Sequence, residues 1–162
     1  MKFYTIFLLI IFFSGQVLGK NNIMLNIVCV INNDSYVIHI KNRGGEKALL
    51  SKNYVLLNDY NGSSRSFKVK ENPFANKTFL EIEKIIQKSY FVLLPQQSIT
   101  ITVKDSVKHN LKKYSFIYFH EILFLKPVKF YYPNFSINEF YNHLRENDIF
   151  RITNMAFAIR YI

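Results

Sequence analysis

Between residues 98 and 104 the chain reads Ser-Ile-Thr-Ile-Thr-Val-Lys. Ile99, Ile101 and Val103 alternate with Ser98, Thr100, Thr102 and Lys104, the period of two that arises when one face of a strand is buried and the other is wet. A helix would need the apolar residues three and four apart, so this stretch commits its part of the chain to a β-sheet. Upstream, residues 90–94 are a second apolar run, and Pro95-Gln96-Gln97 supplies the turn between the two. Residues 90–104 therefore predict strand, turn, strand.

The same period recurs on both sides. Ile23, Leu25, Ile27, Cys29 and Ile31 alternate, Asn32-Asn33-Asp34 offers turn chemistry, and Tyr36, Ile38 and Ile40 resume opposite Val37, His39 and Lys41. This is a first hairpin or a strand crossing to a second sheet. Residues 52–57 and 65–70 are short strands, which makes four before residue 71. Residues 114–125 alternate with apolar side chains on both faces, the pattern of a central strand covered on each side. A last strand occupies residues 150–162.

Two segments break the period. Phe79, Ile82 and Ile86 fit one helix face over residues 77–88, with Glu81, Glu83, Lys84 and Lys88 on the wet side. Ser136 and Glu139 form a capping box ahead of Ile137, Phe140, Tyr141 and Leu144, which predicts a helix to about residue 147. Between strand and helix, Pro127 and Pro133 flank Phe130, Tyr131 and Tyr132 in an aromatic loop. Seven or eight strands with two short helical insertions predict a mostly β, immunoglobulin-like antiparallel β-sandwich, with a small barrel as the other closure.

The start of the chain has a different character. Lys2, the apolar run of residues 3–13, and Val17 and Gly19 before Lys20 make the three parts of a secretory signal over residues 1–19. Ser14, Gly15 and Gln16 interrupt the run before it reaches the roughly twenty residues of a membrane span. Of 162 residues, removing nineteen leaves 143, one domain from residue 20 to 162. The expected location is secreted or periplasmic, with no transmembrane anchor after cleavage. Cys29 is the only cysteine, so no internal disulfide staples the exported fold, and its register turns it toward the core.

Residues 35–45 with their closing Gly44-Gly45, and Leu93-Leu94-Pro95-Gln96-Gln97-Ser98 leading into an alternating strand, resemble bacterial extracytoplasmic immunoglobulin-like domains. The second of these also resembles the N-terminal domain of periplasmic pilus chaperones. The resemblance implies the sandwich fold. It covers a minor part of the chain, which is too short for that family's second domain and does not show its paired basic anchor residues, so the chaperone activity does not carry over.

Chemistry is sparse. His39, His109, His120 and His143 are dispersed, with no pair at metal-ligand spacing, and no nucleophile elbow, phosphate loop or dinucleotide fingerprint occurs. No cofactor is expected. Asn33, Asn61, Asn76 and Asn134 head glycosylation sequons, which matter only in a glycosylating host. The formal net charge of +10 becomes +9 without Lys2 and draws the chain to anionic partners. Its densest basic group is Lys104, Lys108, Lys112 and Lys113, and Lys108, Lys112 and Lys113 together with Tyr131, Tyr132 and Tyr141 form the expected binding surface. The leading expectation is an exported, non-enzymatic binding module whose partner is a protein or an anionic cell-surface component, not nucleic acid. A structural or assembly component pairing by β-strand addition, and a small hydrolase built where a histidine meets a carboxylate or hydroxyl, are the other two.

Overall fold

The computed structural model describes residues 23–32, 35–104, 114–125 and 136–162. The signal segment, the Asn33-Asp34 turn, and the loops carrying Lys108, Lys112, Lys113, Tyr131 and Tyr132 lie outside the described residues. Two sheets pack face to face, so the chain is a β-sandwich with two helical insertions. One sheet has four strands, and the other has five in order with a sixth paired to its central strand.

In the first sheet, β1 (Leu25–Asn32) and β2 (Ser35–Asn42) pair antiparallel from Leu25 opposite Asn42 to Asn32 opposite Ser35, which makes them a hairpin. Beside β2 lies β7 (Ser98–Lys104). Cys29, Tyr36, Ile38, Ile40 and Ile101 all face the second sheet and are buried, as their alternation requires. In this setting the Cys29 thiol is pushed above its ordinary pKa by burial and is chemically quiet.

The second sheet is built on β8 (Phe116–Leu125). One edge pairs along its length with β9 (Ile149–Ala158). The other edge is shared by two short strands laid end to end, β3 (Lys47–Ser51) against Ile122 to Leu125 and β4 (Tyr54–Leu57) against Phe116 to Phe119. β6 (Tyr90–Leu93) flanks β3, and β5 (Arg65–Lys68) flanks β9. Five strands thus precede residue 71, one more than the periodicity predicts. The extra one is β3, whose Ala48, Leu49 and Leu50 are all buried and so show no alternation.

Two expected strand units divide between the sheets. β6 and β7 are not a hairpin: the turn around Pro95 carries the chain from one sheet to the other. Gln96 takes a left-handed φ of 64° there. The C-terminal strand also crosses at Ile159, because β10 (Arg160–Tyr161) pairs parallel with β1.

Asn42 holds the first crossing. It is fully buried at the end of β2, where its Nδ2 donates to the carbonyls of Glu46 (2.7 Å) and Leu93 (3.3 Å). Its Oδ1 accepts from the Gly44 amide at 2.9 Å. Its backbone bonds both Gln96 and Gln97 across the turn, so one residue joins the two sheets.

A third layer covers part of the second sheet. α1 (Phe79–Ser89) and α2 (Ile137–Glu146) each begin on a capping box, Thr78 with Glu81 and Ser136 with Glu139. Ile82 and Ile86 of α1, and Phe140, Tyr141 and Leu144 of α2, bury with Phe74 against Leu49, Leu123, Leu125 and Ile149. Asn72 ties this layer down by donating to the carbonyls of Leu144 (2.6 Å) and Asn147 (2.9 Å) at the end of α2.

Replacing Asn42 with Ala strands two buried carbonyls and an amide at the sheet crossing. We expect a loss of about 3 kcal/mol of unfolding free energy in urea titration. A change within about 0.5 kcal/mol, the range of ordinary surface substitutions, would show that the crossing is held elsewhere.

Candidate binding surface

The side-chain pattern of β8 and β9 inverts part-way along both strands. Ile117 and Phe119 face the first sheet, and so do Ile122 and Phe124, which cannot happen in an uninterrupted strand. On β9 the same core receives Phe150 and Ile152, then Met155 and Phe157. The ladder runs from Phe119 opposite Met155 to Glu121 opposite Thr153 and skips the His120–Asn154 position between them. Asn154 there has a left-handed φ of 56°, a conformation that Asn tolerates better than most residues.

This inversion divides the outer face of the second sheet. On one side of it, Leu123, Leu125 and Ile149 lie under the helices. On the other side Phe116 and Tyr118 point outward, beside Val55 and Leu57 of β4, where neither helix reaches. The chain from Asn58 to Ser64 loops over the margin and leaves a shallow open hollow of about 480 Å3, lined by Val55, Leu57, Tyr60, Arg65, Tyr118 and Asn154 among others.

Its floor is held by tyrosines. Tyr118 donates from its hydroxyl to Asn154 Oδ1 at 2.7 Å, and the Tyr60 hydroxyl donates to the Asn154 carbonyl. The Tyr60 ring tilts onto Tyr118 (centroids 5.8 Å apart) and Phe116 (6.4 Å). His120 stands edge-on to Tyr118 at 5.0 Å. Loss of solvent, with the Tyr118 phenol adding to it, pushes the Tyr60 pKa up, so this ring stays neutral and a hydrogen-bond donor. A Cβ at Gly62 would sit 2.7 Å from the Tyr60 hydroxyl oxygen, so a larger residue there would have to displace the Tyr60 ring. Val55 remains 41% exposed in the sheet, and Arg65 is exposed on the rim.

Three polar groupings lie elsewhere. Glu121 joins Arg151 at 3.0 Å and accepts from the Tyr90 hydroxyl, while Arg151 also lies over the Phe67 ring. Burial, followed by the hydrogen bond to Glu121, raises the Tyr90 pKa far above that of a free phenol. His39 Nδ1 is 3.0 Å from Thr100 Oγ1 on the exposed face of β2 and β7. Lys47 Nζ is 3.3 Å from His143 Nδ1 between β3 and α2. Among the described residues no three His, Cys, Asp or Glu come together in a way that could hold a metal ion.

Of the six residues expected to form the binding surface, only Tyr141 falls within the described chain, and it is 6% exposed. Its ring packs 5.0 Å from Phe79 and against Phe140, inside the helical layer. The lysines and the other two tyrosines belong to the loops outside the described residues. The hollow is hard to find from sequence because its members come from three separated segments, residues 55–65, Tyr118 and Asn154. A partial signal exists in the outward file Phe116, Tyr118, His120, whose aromatic weight is unusual for a wet face. No protein family model, curated protein or solved structure matches the chain.

The Lys47–His143 contact makes a pH prediction. Burial chiefly, and then the neighbouring Lys47, hold the His143 pKa below its ordinary 6.5, with Glu146 and Glu139 pulling the other way. The unfolded chain therefore takes up the proton first, and stability falls as pH drops below about 6.5. Urea midpoints measured between about pH 7.5 and pH 5 should fall less for His143→Gln than for the parent protein. Equal slopes would remove His143 as the cause.

Proposed function

We propose that the chain is an exported, non-enzymatic binding module that meets a macromolecular partner at the cell envelope or outside the cell. One observation supports this above the others: half of the outer face of the second sheet has no helical cover and presents a hollow floored by Tyr60 and Tyr118, with Val55 exposed and Arg65 at its margin. Tyrosine and arginine around a small aliphatic patch are the residue types that carry most of the energy at protein interfaces. The rings are immobilised by Asn154, so little conformational entropy is lost when a partner arrives.

A protein partner fits this composition best, and the net positive charge favours one with an acidic surface. Export rests on the tripartite pattern of residues 1–19. Among the described residues, no helix is long and apolar enough to cross a membrane.

The test is retention of envelope proteins by the immobilised protein, compared with Val55→Glu and Arg65→Glu. Both side chains are exposed, so each variant should melt within about 3 °C of the parent. Either substitution should lower retention of the specific partner at least about tenfold. Retention unchanged in both variants would overturn the assignment of this face.

A further inference from the structure

β7 ends the first sheet, and among the described residues its hydrogen-bonded strand neighbour is β2 alone. An outermost strand leaves a row of main-chain donors and acceptors open to a further strand, and folded proteins ordinarily guard such a row with proline, a bulge, an inward-pointing charge or marked shortness. β7 is seven residues long and has none of these between Ser98 and Val103. Its only charge, Lys104, stands at the very end.

The strand is also symmetric about its middle residue. Ile101 is the deepest at 5% exposure, Ile99 and Val103 are half-buried on the same face, and Ser98, Thr100, Thr102 and Lys104 are exposed on the other. We propose that β7 pairs antiparallel with β7 of a second copy of this chain, about a two-fold axis through Ile101. In that register Ile101 meets Ile101, Ile99 meets Val103, and Thr100 meets Thr102, so the half-buried pair on each strand gains an apolar partner and the hydroxyl face stays in water. The two Lys104 side chains lie opposite Ser98 at the two ends, about 20 Å apart along the strands, so they do not repel. A shift by one residue would turn the apolar set of one strand outward. A two-fold axis through Val103 would set Lys104 against Thr102 and carry Ile99 past the described end of the facing strand. The first sheet then continues from four strands to eight across the pair. This surface is separate from the hollow on the second sheet, and its test does not depend on that reading.

Light scattering on the unmodified protein should give a mass that doubles with rising concentration. Thr100→Cys and Thr102→Cys then test the register. Both positions are exposed, directly opposed residues fall within disulfide reach, and Cys29 is buried away from exchange. An oxidised mixture of the two variants should form at least fivefold more cross-linked dimer than either variant alone, because in this register each cysteine faces the other position and not its own. A monomer at every concentration, or a dimer in which the mixture cross-links no better than the single variants, overturns the proposal.

Discussion

The rest of the structure depends on the inversion shared by His120 and Asn154. A ten-residue strand with strict alternation presents one face to each side along its whole length, and β8 cannot do so without leaving large apolar residues in water. Inverting β8 and β9 together keeps Ile117, Phe119, Ile122 and Phe124 in one core while freeing Leu123 and Leu125 to receive the helices. Because both strands invert at the same rung, their pairing continues unbroken on either side. Asn suits the position physically, since its short polar side chain tolerates the left-handed conformation and, here, accepts the Tyr118 hydroxyl.

The two cores that result differ in character. Between the sheets, β-branched and aromatic residues interdigitate, as in any sandwich. Beneath the helices, Leu49, Leu123, Leu125 and Ile149 make a smaller cluster closed by Phe74 and Phe140, with Asn72 fastening the end of α2. Helical cover ends where the inversion begins, and the hollow lies on the uncovered side. Fold and candidate surface are in this sense one feature: the device that fills the core also leaves Tyr60 and Tyr118 facing solvent.

Much of the architecture is legible in the residues. Both capping boxes follow propensities that act within a few residues, and the Ser136 box can be read from the spacing of Ser136 and Glu139 alone. The strands with alternating faces are equally plain, β7 above all. Adjacency in sequence is a poorer guide, because neighbouring strands share a sheet in the case of β1 and β2 but not of β6 and β7. Nothing in Leu94-Pro95-Gln96-Gln97 distinguishes a hairpin turn from a crossing. The distinction comes from Asn42, more than fifty residues away in sequence, whose side chain and backbone hold that turn.

By itself, then, the alternation from Ser98 to Lys104 determined a strand with one buried face, and its analogues determined a two-layer β protein with two helical insertions. Local sequence can do this because side-chain period and backbone geometry are coupled within a few residues. Tertiary structure alone decided which sheet each strand joined, that Tyr141 is a core residue, and that Tyr60, Tyr118 and Asn154 meet. Those outcomes depend on contacts between segments separated by 36 to 94 residues, as in the bonds of Asn154 with Tyr118 and Tyr60, and no period in the sequence records them. The strand that is plainest in the sequence is also the one that ends the first sheet among the described residues, a placement the sequence does not record because alternation specifies the faces of a strand and says nothing of its edges.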